Sequence, residues 1–219
     1  MTRMGTMALI RETFYKAQEY MQQMNDYIEN PDDYEKPDYD IKYEALMPVL
    51  KREIPVKIHA HRADDIMCGI RLGKEFNLDI TIEHCTDGDR ISDILAREKV
   101  PVMLGPTLSD RSKPELSSLS FDTYKKLSDK NIPVAIITDH PEIPVEYLPL
   151  CAALAVKNGM DKDKALEALT ITAAKNCRID DRVGSISVGK DADFIICEKL
   201  PWDFEFKPCA VFVEGKKIS

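Results

Sequence analysis

The feature that most constrains this chain is a rhythm. Between residues 54 and 158 a short β-branched, apolar run is followed by a helical pattern, four times over. Val56-Lys57-Ile58-His59 reads as a strand, and residues 63–76 as a helix with Ile66, Ile70, Leu72 and Phe76 apolar. Residues 78–83 then 89–99, 100–104 then 121–130, and 134–138 then 145–158 repeat the pair. Successive strands joined through helices run parallel and need helices packed over them. The class is therefore α/β. Right-handed crossovers either close such units into part of a (β/α) barrel or wind them into an open sheet.

The flanks break the rhythm. In residues 6–27, Met7, Ile10, Phe14, Ala17 and Met21 recur at helical spacing. Residues 30–40 carry two prolines and many acids and read as an exposed loop. Residues 41–52 read as a second helix, weakened in its middle by Pro48. After Gly159, residues 161–177 form one Ala-rich helical pattern. Short β-like runs follow at Gly184-Ser185-Ile186, 192–197 and 209–213, the last entering a turn at Glu214-Gly215-Lys216. The chain thus divides into helices over 1–53, a β/α region over 54–180 and part of a small β-domain over 181–219.

A formal net charge of -8 argues against a nucleic-acid or anionic-membrane partner, since both need a basic face. No apolar run approaches the roughly 20 residues of a membrane span. The six cysteines are scattered without a CxxC pair, which reads as reduced thiols and a cytoplasmic location.

Chemistry-bearing residues gather at one edge. The chain has four histidines, His59, His61, His84 and His140, and each falls at or just beyond the end of an expected strand. Asp139 ends the fourth strand. In parallel β/α folds that edge is where active sites are built. Histidines and a carboxylate converging there have the composition of a zinc-type hydrolytic site. His59 and His61 are two apart. On a continuing strand both point one way and could serve one metal; if the strand ends at His59, His61 is free for substrate.

The ordered motifs KIHAHRADDI, TIEHC, VMLGP and IITDHP, followed by a distinctive tail, resemble the amidohydrolase superfamily, in its imidazolonepropionase-like branch. The tail matches through Gly184-Ser185-Ile186, Gly189-Lys190-Asp191-Ala192-Asp193, Pro201-Trp202-Asp203 and Val213-Glu214-Gly215-Lys216. The run at 170–174 resembles the family's T-x-N-x-A helix, with Thr172 in place of the usual Asn.

The resemblance implies an eight-stranded TIM-type barrel, of which this chain carries strands 5 to 8. It implies metal ligands at His59 (strand 5), His84 (strand 6) and Asp139 (strand 8). Asp139 would also be the general acid/base, and His84 would polarise the substrate or hold metal. His61 would face the substrate or support the metal ligands, and Arg62, Arg111 and His140 fall to the substrate side, with the two arginines gripping a carboxylate. The cofactor implied is Zn2+ or a similar divalent ion. The family's strand 1 HxH pair has no counterpart, since residues 1–58 contain no histidine. The expectation is therefore the C-terminal half of a hydrolase acting on non-peptide C–N bonds of a small molecule such as a cyclic amide. Alone it would bind metal weakly or not at all and be inactive. Open strand edges, and an inner wall of Ile58, Ile80, Ile82, Met103 and Ile136, would drive self-association or pairing with an N-terminal half. The rival expectation is a degenerate, non-catalytic member acting as a binding or oligomeric module.

Overall fold

The computed structural model describes residues 2–219. They divide into two units, one built from the chain up to Val56 with Met67–Ile80, the other from Lys57–Ile66 with Thr81–Ser219.

The first unit is built on two helices, α1 (Arg3–Glu29) and α2 (Ile41–Leu50). Thr2 Oγ1 accepts the Gly5 N–H at 3.1 Å and Asp40 Oδ1 the Lys42 N–H at 2.8 Å, so each helix starts on a side-chain cap. Pro48 lies inside α2 after all. It falls in the last turn, where a missing N–H and a crowded carbonyl disturb little downstream helix. Phe14, Val49, Leu72, Phe76 and Leu78 form the core, with Met7, Ile10 and Leu46 packed against it. The Phe14 and Phe76 rings lie 5.1 Å apart.

In the β/α region the elements follow the expected order: β1 (Val56–Ala60), α3 (Ala63–Glu75), β2 (Ile80–His84), α4 (Ser92–Glu98), β3 (Val102–Leu104), α5 (Asp122–Ser128), β4 (Val134–Ile136) and α6 (Leu148–Lys157). The four strands form one sheet in the order β1-β2-β3-β4. β2 and β3 run parallel with Ile82 beside Val102, and β3 and β4 with Val102 beside Val134.

The faces of this sheet differ from the sequence expectation. Lys57 Nζ meets Thr81 Oγ1 at 3.3 Å and Met103 Sδ at 3.5 Å, so these three side chains share a face. Side chains alternate along a strand. Ile58, Ile80 and Ile82 therefore point the other way, and so does Ile136, because its neighbour Ala135 is level with Met103. Ile82 is fully buried on that side. Of the five residues expected on the inner wall, only Met103 is there. Ile80 packs against the core of the first unit, and the opposite face carries Lys57, Thr81 and Glu83.

Residues 161–177 are two helices, α7 (Lys162–Leu169) and α8 (Ile171–Asn176). The break is Thr170, at φ -128°, ψ -98°, whose hydroxyl bonds back to the Leu166 carbonyl at 2.7 Å. Of the expected β runs, 184–186 is not a strand, and Ile186 is almost wholly exposed. The small sheet is antiparallel, made of β5 (Phe194–Cys197), β6 (Pro208–Val213) and β7 (Lys216–Lys217). The Phe194 and Phe212 rings stack across it at 4.6 Å. No helix among the described residues is long and apolar enough to cross a membrane.

Candidate metal centre

β1 and β2 deliver three imidazoles to one place. His59 lies on β1, His61 just past its end, and His84 is the last residue of β2. The available ligand atoms of the three all lie within 4.8 Å of one another. His59 Nδ1 and His84 Nε2 are 3.0 Å apart, and the rings of His61 and His84 stack at 4.6 Å.

Strict alternation would turn His84 to the same side as Ile82, away from His59. The backbone prevents this. His84 and Cys85 both adopt left-handed conformations, at φ 70° and 49°. Such values are uncommon outside glycine and collect at functional sites. Here they break the alternation at the strand end and bring the His84 ring to His59.

Two of the three rings, His84 and His61, are oriented from behind. His84 Nδ1–H donates to the Gly105 carbonyl at 2.7 Å, which leaves Nε2 with the lone pair in the neutral ring. His61 Nδ1 bonds Thr86 Oγ1 at 2.8 Å. Burial pushes the His61 pKa down to about 4, helped by the charges of His84 and His59. Burial also lowers His84. Neutral imidazoles with free lone pairs are what a metal requires. Two nitrogens held tetrahedrally by zinc at about 2.0–2.1 Å sit about 3.3 Å apart. The 3.0 Å between His59 and His84 is close to that, so the donor set fits a divalent ion.

The residue before His84 is a carboxylate with a buried, unsatisfied oxygen. Glu83 Oε1 is buried without a hydrogen-bond partner, 3.7 Å from Lys57 Nζ. Burial raises its pKa, and Lys57 opposes the rise.

The remaining expected site residues are placed differently. Asp139, at φ 51° beyond β4, is exposed and outside the three-histidine group, although its charge reaches both His84 and Glu83. His140 Nδ1 accepts the Val145 N–H at 3.3 Å. Arg62 makes a two-pronged pair with Asp64, both bonds 2.9 Å, and Arg111 donates to the Leu119 carbonyl at 2.7 Å. Both guanidinium forks are thus engaged locally. Lys113, on the same loop as Arg111, is a cation whose charge is felt by His61 and His84. Thr86 and Gly105 were missed, because nothing in their types marks them as ring partners. A separate cavity of about 400 Å3, lined by Lys99, Pro101, Pro133 and Lys175, lies at the entry ends of β3 and β4, away from the histidines.

A sequence profile of the Amidohydrolase family matches residues 17–218. Among curated proteins, the chain is 24% identical to "Amidohydrolase tasK" of Hapsidospora irregularis, over 98% of this chain and 23% of that protein. It is 30% identical to the imidazolonepropionase of Picrophilus torridus, over 75% of this chain and 42% of that protein. Among solved structures, it matches an amidohydrolase from Thermotoga maritima with a TM-score of 0.92 and 38% identity. That match covers 100% of this chain and 56% of the other. The chain therefore spans only part of the length of the relatives it matches.

Proposed function

The chain belongs to the amidohydrolase family, and on that premise we propose that its histidine cluster is part of a hydrolytic centre acting on a non-peptide C–N bond of a small molecule, such as a cyclic amide. The observation that carries the reading is the His59 Nδ1 to His84 Nε2 distance of 3.0 Å, with His84 turned by the Gly105 carbonyl. In this reading β1 to β4 are strands 5 to 8 of a TIM-type barrel, with domain boundaries proposed near residues 53 and 180. His59 and His84 would hold the metal, with His61 as a third nitrogen donor. When bound, a divalent ion such as zinc would acidify water and polarise the substrate carbonyl. Asp139, close enough for its charge to act on His84, takes the proton of the attacking water and passes it to the leaving nitrogen. His140 and the loop bearing Arg111 and Lys113 face the substrate; a carboxylate there would have to draw Arg62 and Arg111 away from their present partners.

Activity is proposed for the site completed by further donors of the family, and these 219 residues alone are proposed to bind metal weakly and to leave amides intact. Cobalt titration followed by visible absorption tests the first half. Saturable binding lost in His84→Ala is expected; no binding at millimolar cobalt would overturn the metal assignment. A panel of cyclic amides and imidazolones tests the second half, and turnover by the chain alone would overturn it.

A further inference from the structure

We infer that Thr86 and Asp87 are positioning residues for His61 in the histidine site, fixing its ring and backbone; this rests on the metal reading above and extends it.

Three consecutive strand-exit segments meet at this pair. The Asp87 N–H donates to the His61 carbonyl at 2.8 Å. Asp87 Oδ2 accepts the Ala63 N–H at 3.1 Å. The segment His61-Arg62-Ala63 is therefore gripped at both ends by one residue. The other carboxylate oxygen, Oδ1, accepts the hydroxyl of Ser118, from the loop that follows β3. Arg90 adds a cation 3.4 Å from Oδ1. Asp87 is buried and its acceptors are used from several sides, so its conformation is over-determined.

Thr86 does the chemical part. Its hydroxyl oxygen lies 2.8 Å from His61 Nδ1, and both residues are buried. When Thr86 Oγ1 accepts from Nδ1–H, the lone pair of the neutral ring is on Nε2. That is the tautomer in which Nε2 can bind metal. Without the hydroxyl, Nδ1 loses its hydrogen-bond partner, and the rings in contact with His61, those of His59 and His84, are themselves donors of the site. Nothing in the sequence marks Thr86, since a threonine after a strand-end histidine is ordinary loop chemistry.

The test uses two readouts on the 219-residue protein. Long-range 1H–15N correlation spectra of the metal-free protein report which ring nitrogen of His61 carries the proton. Cobalt titration reports affinity. In the wild type, Nδ1 is expected to be protonated. Thr86→Val, which keeps the shape and removes the hydroxyl, should give a tautomer mixture and weaken cobalt binding roughly ten- to a hundredfold. Thr86→Ser should restore both. Thr86→Ala serves if the valine variant does not fold. An unchanged His61 tautomer in the variants lacking the hydroxyl overturns the inference. A shifted tautomer in a protein whose wild type binds no cobalt sustains the positioning role while removing the metal reading on which it was built.

Discussion

His61 is where burial and charge act most strongly on one titrating residue of the site. Its folded pKa lies near 4, against an ordinary value of 6.5, because the ring is buried beside two other imidazoles. Between those values the unfolded chain binds a proton that the folded chain refuses, so stability rises with pH through that window. The contribution is complete above about pH 6.5 and lost as pH falls towards 4, to a limit of about 3 kcal/mol. Urea denaturation of the metal-free protein at pH 7 and pH 4.5 should show this loss, and His61→Gln should flatten it. An equal acid loss in the variant would place the sensitivity elsewhere. Gly105 supports a second prediction. It adopts φ 135°, and a Cβ there would lie 2.2 Å from the Ile137 carbonyl oxygen. Gly105→Ala should therefore cost at least about 2 kcal/mol by denaturation. It should also weaken metal binding, because the Gly105 carbonyl orients His84.

Elements are held by equally specific contacts. In the first unit, Phe76 at the end of α3 is buried against Phe14 of α1, with Tyr15 edge-on at 4.9 Å. Phe76→Ala should lose about 3–5 kcal/mol in equilibrium unfolding. A loss below about 1 kcal/mol would mean that this helix packing contributes little. The turn after α8 depends on Gly184, at φ 85°, where a Cβ would lie 2.6 Å from Ala174 Cβ. Gly184→Ala should be destabilising by about 1–3 kcal/mol. Ala174→Gly in the same chain should recover only part, since it removes the clash and leaves the left-handed backbone. Full recovery would show that backbone strain is negligible. This contact gives the glycine of the GSI motif a physical reason: the motif closes a tight approach and forms no strand.

At the scale of the molecule, the open edge of β1 is the feature to manage. β1 ends the sheet order, so its outer backbone groups have no strand partner among the described residues. An apolar inner wall would have made association strong. That wall is polar instead, with Lys57 and Glu83 on it, and an edge-strand lysine discourages pairing. Self-association through β1 is therefore expected to be weak, appearing at micromolar concentration and above in light scattering. Lys57→Val should shift the distribution to larger species. If both proteins stay monomeric across the range, the β1 edge is not an association surface.

The sequence by itself determined the order of strands and helices, the gathering of histidines at strand ends and the tail that identifies the family. Those features are local: hydrophobic periodicity and turn residues act over a few positions and survive without knowledge of what packs against them. Only the tertiary structure decided which groups meet. Period-2 alternation in Val56–Ala60 is the same whichever face meets the helices, so the inner wall could not be read from it. The left-handed turn at His84 and Cys85 broke the alternation just where the site forms. Arg62 found Asp64 two residues away, and Arg111 found a carbonyl, because a nearby partner costs less ordering entropy than a distant one. His61 joined His59 and His84 because Thr86 and Asp87, from the next strand's exit, hold it there.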